Sequence, residues 1–273
     1  MSDEKLSRQP ADGLTDGPPT PGLSRRGWCL GTAGLLGMAG CATPTLPPPP
    51  APVATGAAGL VPFSMSRRVG AVPEGWHEHV MRRDLPPTRY RAVQRDGRVV
   101  VHSLAERSTS GLRCDIDVDP SRTPWLDWQW RVDAVPAEAT VARGERDDSP
   151  ARVVLAFDGD TSRQPLRDLV FREQVEFFTG HTLPFATLMY VWDGQADLES
   201  VHHYHRSGLI RYVVVESGER NTGRWMRYRR NVVADYQRAF GTLPGRIRSV
   251  GVLSDSDALK LRLEAWFGDL SFS

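Results

Sequence analysis

Gly223-Arg-Trp-Met-Arg-Tyr-Arg-Arg-Asn-Val-Val-Ala-Asp-Tyr-Gln-Arg-Ala-Phe-Gly241 changes period at its midpoint. Over residues 225–230 the side chains alternate, so Trp225, Arg227 and Arg229 fall on one face of a strand and Met226, Tyr228 and Arg230 on the other. Beyond that point Val232, Tyr236 and Phe240 recur every four residues, as on the buried stripe of a short helix. Asn231 is placed to cap the helix and Gly241 to end it, with Pro244 barring continuation. Asp235 and Tyr236 are expected to tie this helix to the rest of the domain. The strand before it presents arginines and a tryptophan, and those arginines require either acidic partners or an acidic ligand.

Short apolar or alternating segments flank this run on both sides. The expected strands are Trp76–Met81, Tyr90–Gln94, Val99–Leu104, Gly111–Asp119, Trp125–Val132, Val153–Phe157, Pro184–Trp192, Leu209–Glu216, Ile247–Leu253 and Leu261–Phe272. Asp96-Gly97 marks a tight turn between the second and third. In Trp125–Val132, Leu126, Trp128, Trp130 and Val132 share one face, and so many tryptophans in a short strand read as the wall of a sandwich core. A second helix is expected over Pro165–Phe178, with Leu166, Leu169, Val170 and Phe177 giving partial helical spacing. There is no repeat and no regular strand–helix alternation. About ten strands with two short helices predict an all-β jelly-roll β-sandwich.

The 273 residues are 40% hydrophobic and 25% charged, an ordinary globular composition. A net charge of +1 gives no electrostatic case for nucleic acid. Residues 1–41 read as an export leader, whose first 23 residues have too little apolar surface to fold. Ser24-Arg25-Arg26-Gly27-Trp28 resembles a twin-arginine signal. The apolar run Leu30–Gly40 has only about half the ~20 residues of a spanning helix, which excludes a permanent transmembrane segment there. Gly37-Met38-Ala39-Gly40-Cys41 resembles a lipobox that would place a lipid on Cys41; an ordinary signal peptide cut elsewhere is the alternative. Ala42, rather than aspartate, after that cysteine points to the outer membrane, facing the periplasm. Residues 42–67 read as a proline- and alanine-rich tether, with four prolines at 47–50, and residues 68–273 as the jelly-roll domain. With Cys29 in the leader and Cys41 lipidated, Cys114 stands alone, so no internal disulfide is expected and its thiol reads as buried and inert.

Several blocks resemble a bacterial family known as domain of unknown function 3047. They are Trp125-Leu-Asp-Trp-Gln-Trp130; Asp147-Asp148 leading to Ala151-Arg152-Val153; Tyr190-Val191-Trp192; Val215-Glu-Ser-Gly218; Arg230-Asn231 with Asp235-Tyr236 and Phe240-Gly241; and Gly268-Asp269-Leu-Ser-Phe272. The resemblance covers most of residues 70–272 and implies an exported protein without an assigned activity. Its pattern is similar in outline to carbohydrate-binding jelly rolls. Where the family pattern leads one to expect Asp-x-Asp-Asn-Thr, this chain has Asp255-Ser256-Asp257-Ala258-Leu259.

The acidic groups Asp147-Asp148 and Asp255-x-Asp257 admit three readings: turn caps or ion pairs with Arg227, Arg229 or Arg230, a structural calcium site, and catalytic acids. His202, His203 and His205 read as a solvated loop, because no cysteine or carboxylate pattern completes a metal site. No catalytic motif is present, so catalytic residues stay unassigned. The leading expectation is a cell-envelope lipoprotein that binds a glycan or another envelope ligand through Trp225, Arg227 and Arg229, with Asp147, Asp148, Asp255 and Asp257 around them. A hydrolase or lyase of polysaccharide, and an assembly lipoprotein with a protein partner, are the alternatives.

Overall fold

A computed structural model describes residues 59–273. The expected leader, the candidate lipid site Cys41 and the expected tether up to residue 58 lie outside the described residues. Among the described residues thirteen strands follow one another: β1 His77–Val80, β2 Arg89–Arg95, β3 Arg98–Glu106, β4 Thr109–Val118, β5 Trp125–Val132, β6 Ser149–Phe157, β7 Ala186–Asp193, β8 Val201–His203, β9 Ile210–Ser217, β10 Trp225–Asn231, β11 Ile247–Asp255, β12 Arg262–Phe267 and β13 Ser271–Phe272. Helix α1 spans Leu166–Thr179 between β6 and β7, and α2 spans Val232–Phe240 between β10 and β11.

The strands form two sheets. The first runs β1-β4-β11-β6-β7-β9-β8 and the second β10-β5-β12-β3-β2, with β13 also on β5. All pairings are antiparallel except β7 with β9. From β3 to β6, and again from β10 to β12, successive strands pass from one sheet to the other, the crossover habit of a jelly roll.

Alternation places the core between the sheets. Leu126, Trp128, Trp130 and Val132 of β5 face Ala151, Val153, Leu155 and Phe157 of β6 and Leu188, Tyr190 and Trp192 of β7. Trp125 has the opposite parity, stands on the outer face and is 37% exposed, so only two of that strand's tryptophans belong to the core wall. A smaller cluster of Val141, Met189, Val191, Tyr212 and Val214 covers the outer side of the first sheet.

The packed chain begins earlier than the Arg68 expected from composition. Leu60 and Phe63 are buried, and Phe63 lies 4.4 Å from Trp76, whose indole donates to Val61 O. Two apolar side chains among prolines and alanines were enough to anchor a stretch that reads as tether. The His-rich loop is also partly a strand: β8 pairs with β9, and His202 Nε2 lies 2.9 Å from Ser200 Oγ.

Both helices lie where their caps place them. Asn231 Oδ1 accepts from Ala234 N and Gly241 adopts φ +76°, a left-handed stop that suits glycine. Helix α1 follows Pro165, but it buries Phe171 and Asp168 and leaves Leu166 and Phe177 exposed. Asp168 is held by Ser207 Oγ and Gly208 N, so a polar tie displaces the apolar stripe that spacing suggested. Cys114 is buried, and burial pushes its thiol up, which leaves it inert.

His79, on the edge strand β1, has its ring 4.9 Å from that of His181. Burial, then His181, Arg113 and His77, depress its pKa to about 4, with Asp115 opposing. The folded state therefore prefers the neutral imidazole. Its stability is complete above the unfolded pKa near 6.5 and is lost as pH falls from there toward about 4. Between pH 7.5 and 4.5, wild type is expected to lose on the order of 1–2 kcal/mol more than His79→Gln, after discounting for partial exposure. Urea titrations at the two pH values measure the difference, and equal losses would refute the assignment.

Candidate functional site

Strand β10 is an edge strand whose register on β5 sorts its side chains. Met226, Tyr228 and Arg230 oppose Trp130, Trp128 and Leu126, on the core side. Trp225, Arg227 and Arg229 oppose Arg131, Gln129 and Asp127, on the outer side. The alternation read from the sequence is thus the observed one, but the three arginines have different fates.

Arg230 is scaffold. Its guanidinium bonds Asp235 at 2.8 Å and Glu199 at 2.7 Å, Asp235 also accepts from Tyr190 OH, and Arg238 joins the same two carboxylates. The group ties α2 and β10 to β7 and to the turn before β8. Tyr228 OH donates to Glu216, which Asn221 also holds; burial, with Glu216 beside it, raises that phenol's pKa. Tyr236 packs on Phe157 at 4.6 Å, completing the attachment of α2.

Arg229 pairs with Asp127 at 3.3 Å and lies over the Trp125 ring at 5.2 Å. Arg227 is exposed and makes no hydrogen bond or ion pair among the described residues. Trp225 donates its indole N–H to Asp96 at 2.7 Å, with Arg98 stacked 4.1 Å above the ring. Asp96 belongs to the β2–β3 turn, where it and Gly97 adopt φ of 51° and 77°. That turn reaches across the outer face: Arg95 lies 3.6 Å over Trp266 and pairs with Asp133. The result is a strip along β10 and β5 with Trp225 at one end, Trp125 at the other, and Arg227, Arg229, Gln129 and Asp127 between. Six residue steps separate the rows of the two indoles, about 20 Å along the strands.

The acidic residues gather elsewhere. Asp147, Asp148 and Asp255 meet Arg152 at one end of the first sheet, on its outer side. Arg152 is 3% exposed and bonds Asp147 at 2.8 Å and Asp255 at 3.1 Å, with its guanidinium over the Tyr212 ring. Tyr212 OH donates to Asp147 Oδ2 at 2.7 Å. Burial works against the charge of Arg152, but Asp255 and Asp147 outweigh it and hold the group firmly protonated. Asp148 accepts from Ala258 N and Leu259 N, which fastens the β11–β12 loop. Asp257, at the rim, pairs with Arg82 at 3.0 Å. Burial raises the carboxyls of Asp148 and Asp255; for Asp255, Arg152 opposes the rise while Asp147, Asp148 and Asp257 add to it.

The expected single site is therefore two separate arrangements. Trp225, Arg227 and Arg229 lie together on the outer face of the second sheet. The four aspartates lie on the first sheet and its loops, and Arg152 and Arg82 partner them in place of Arg227, Arg229 or Arg230. The reason is parity: Arg227 and Arg229 stand on the outer face of the second sheet, away from the first sheet that carries the aspartates. One carboxylate oxygen from each of Asp148, Asp255 and Asp257 falls within 4.8 Å of the others, a donor set of the kind that holds a hard cation. No histidine joins that set among the described residues. Sequence reasoning missed Arg82, Arg98, Trp266 and Tyr212. Arg152 had a signal of its own, since an arginine inside Ala151-Arg-Val-Val-Leu155 needs a buried counter-charge.

The family model described as "Protein of unknown function (DUF3047)" matches residues 74–271. The chain belongs to this family. Blocks that carry the family resemblance supply Asp147, Asp148 and Arg152 of the acidic centre and Tyr190, Arg230 and Asp235 of the α2 attachment. No curated protein matches the chain. Among solved structures, it is similar to the crystal structure of Trichoderma harzianum endoglucanase 3 from family GH12. Identity is 8% and the TM-score 0.38, covering 82% of this chain and 98% of that one, a likeness that carries no argument about this protein.

Proposed function

We propose that this domain is a binding module of the cell envelope, and that the strip along β10 and β5 holds an extended acidic glycan. The observation that supports this reading is Arg227, a guanidinium on the open face between two part-exposed indoles, with no carboxylate partner among the described residues. Indoles stack on sugar rings and guanidinium forks take carboxylates or hydroxyls in pairs. Arg98, over Trp225, adds a second cation beside the ring. In this proposal a lipid on Cys41 holds the chain at the outer membrane and residues 42–58 act as spacer. No helix among the described residues is long and apolar enough to cross a membrane.

Catalysis by the acidic centre has less support. Asp148 is 0% exposed and Asp255 6%, so a polymer has no approach to that pair.

Retention of the protein in gels containing polyuronate, compared with neutral polysaccharide, tests the proposal. Wild type is expected to be retarded by the acidic polymer, and Arg227→Ala to lose affinity roughly tenfold or more, the scale of one charge-assisted contact. Arg227 is exposed, so the variant folds. Equal mobility of the two proteins in every polymer would sink the strip assignment.

A further inference from the structure

We propose that Asp148, Asp255 and Asp257 bind a divalent, oxygen-seeking cation of the calcium kind, which fastens the β11–β12 loop to the start of β6. This site is separate from the glycan strip and does not depend on it. Three observations meet there.

The first is geometry. The three ligand oxygens lie within 4.8 Å of one another, no wider than oxygens on opposite sides of one ion at bond lengths of about 2.4 Å. A magnesium shell, with bonds of about 2.1 Å, is tighter. Lone pairs remain to bind it: Asp255 Oδ2 and Asp257 Oδ1 have no donor among the described residues. Each oxygen of Asp148 accepts a single backbone N–H, which leaves a second lone pair free.

The second is charge. Among the described residues, Asp147, Asp148, Asp255 and Asp257 have only Arg152 and Arg82 as ion-pair partners, and Arg82 is shared with Asp84, so at least two negative charges are left over in a largely buried centre. Buried charge of one sign is unstable unless neutralised by protons or a counter-ion. A divalent cation offsets that excess.

The third points to a ligand oxygen. Arg152, 3% exposed and directed into this cluster, has a buried Nε–H with no acceptor. No oxygen among the described residues accepts from it. Calcium takes six to eight oxygens, more than the three brought together here, so water completes the shell, and water is the class of acceptor that this N–H lacks.

Titration calorimetry and thermal melting of the full-length chain, first stripped with a chelator and then given calcium chloride, test the proposal. Wild type is expected to show one-site heat and to melt about 5–10 °C higher at calcium a hundredfold above its dissociation constant. Asp257, at the rim, can be changed without opening the core: Asp257→Asn is expected to bind at least tenfold more weakly and to lose most of the melting shift. Asp117→Asn, which alters an exposed aspartate paired with Arg246 and Arg248, is expected to keep both signals. No heat and no shift in wild type at millimolar calcium would overturn the proposal. So would calcium binding by Asp257→Asn as tight as wild type, which would put the ion elsewhere.

Discussion

Arg152→Met is expected to lower the unfolding free energy of the domain by about 3–5 kcal/mol, because it leaves buried carboxylates without their counter-charge. Methionine fills much of the arginine's volume, so the loss reports the ion pairs more than a cavity. Asp147 and Asp255 are 10% and 9% exposed at their side chains, and both contact the same Arg152 nitrogen. Water cannot replace that guanidinium. The damage spreads along known bonds: Asp147 also receives Tyr212 OH, and Asp255 also receives Ser149 N at the first residue of β6. Urea titration of the two proteins measures the change as a shift in midpoint at constant slope. A loss below about 1 kcal/mol, the value of an exposed pair, would show that solvent screens these ion pairs as it does at a surface.

Trp128→Ala is expected to be as damaging, again about 3–5 kcal/mol, for a different reason. Its indole is 2% exposed and lies between two phenol rings, Tyr190 at 4.9 Å and Tyr228 at 5.1 Å, both nearly parallel to it. Those rings come from β7 and β10, so this one side chain joins the two sheets and the edge strand. Removing it opens a cavity bounded by rings whose hydroxyls are fixed, Tyr190 to Asp235 and Tyr228 to Glu216, which prevents collapse into the space. Trp125→Ala on the outer face of the same strand is the natural control. At 37% exposed, it is expected to change stability by less than about 1 kcal/mol. Comparable losses for both variants in thermal or urea unfolding would contradict the assignment of faces.

These two variants also separate what could be read early from what could not. The strand Trp125–Val132 was legible to its ends, because alternation of large apolar and polar side chains leaves one half-buried conformation available. The switch from strand to helix at Asn231 was legible for the same reason, reinforced by a cap and a glycine stop. Asp235 and Tyr236 could be named as the helix's attachment, since a polar and an aromatic residue on the buried face of α2 must find partners. That the partner was Tyr190, 45 positions earlier in the chain, was not. Similarly, β8 was lost in a run of histidines, since a short edge strand has no pattern long enough to register.

The candidate sites divide along the same line. The sequence by itself determined that Trp225, Arg227 and Arg229 share a face, that the arginines need acidic partners or an acidic ligand, and that the domain is a sandwich. Those are local consequences of a two-residue period and of the cost of unpaired charge. Only the tertiary structure decided which groups meet. Register on β5 turns Arg227 outward, and the crossing of β6 and β11 in the other sheet brings Asp148 and Asp255 to Arg152. Contacts between residues a hundred positions apart follow from strand order and crossover. Periodicity along one strand carries no information about either.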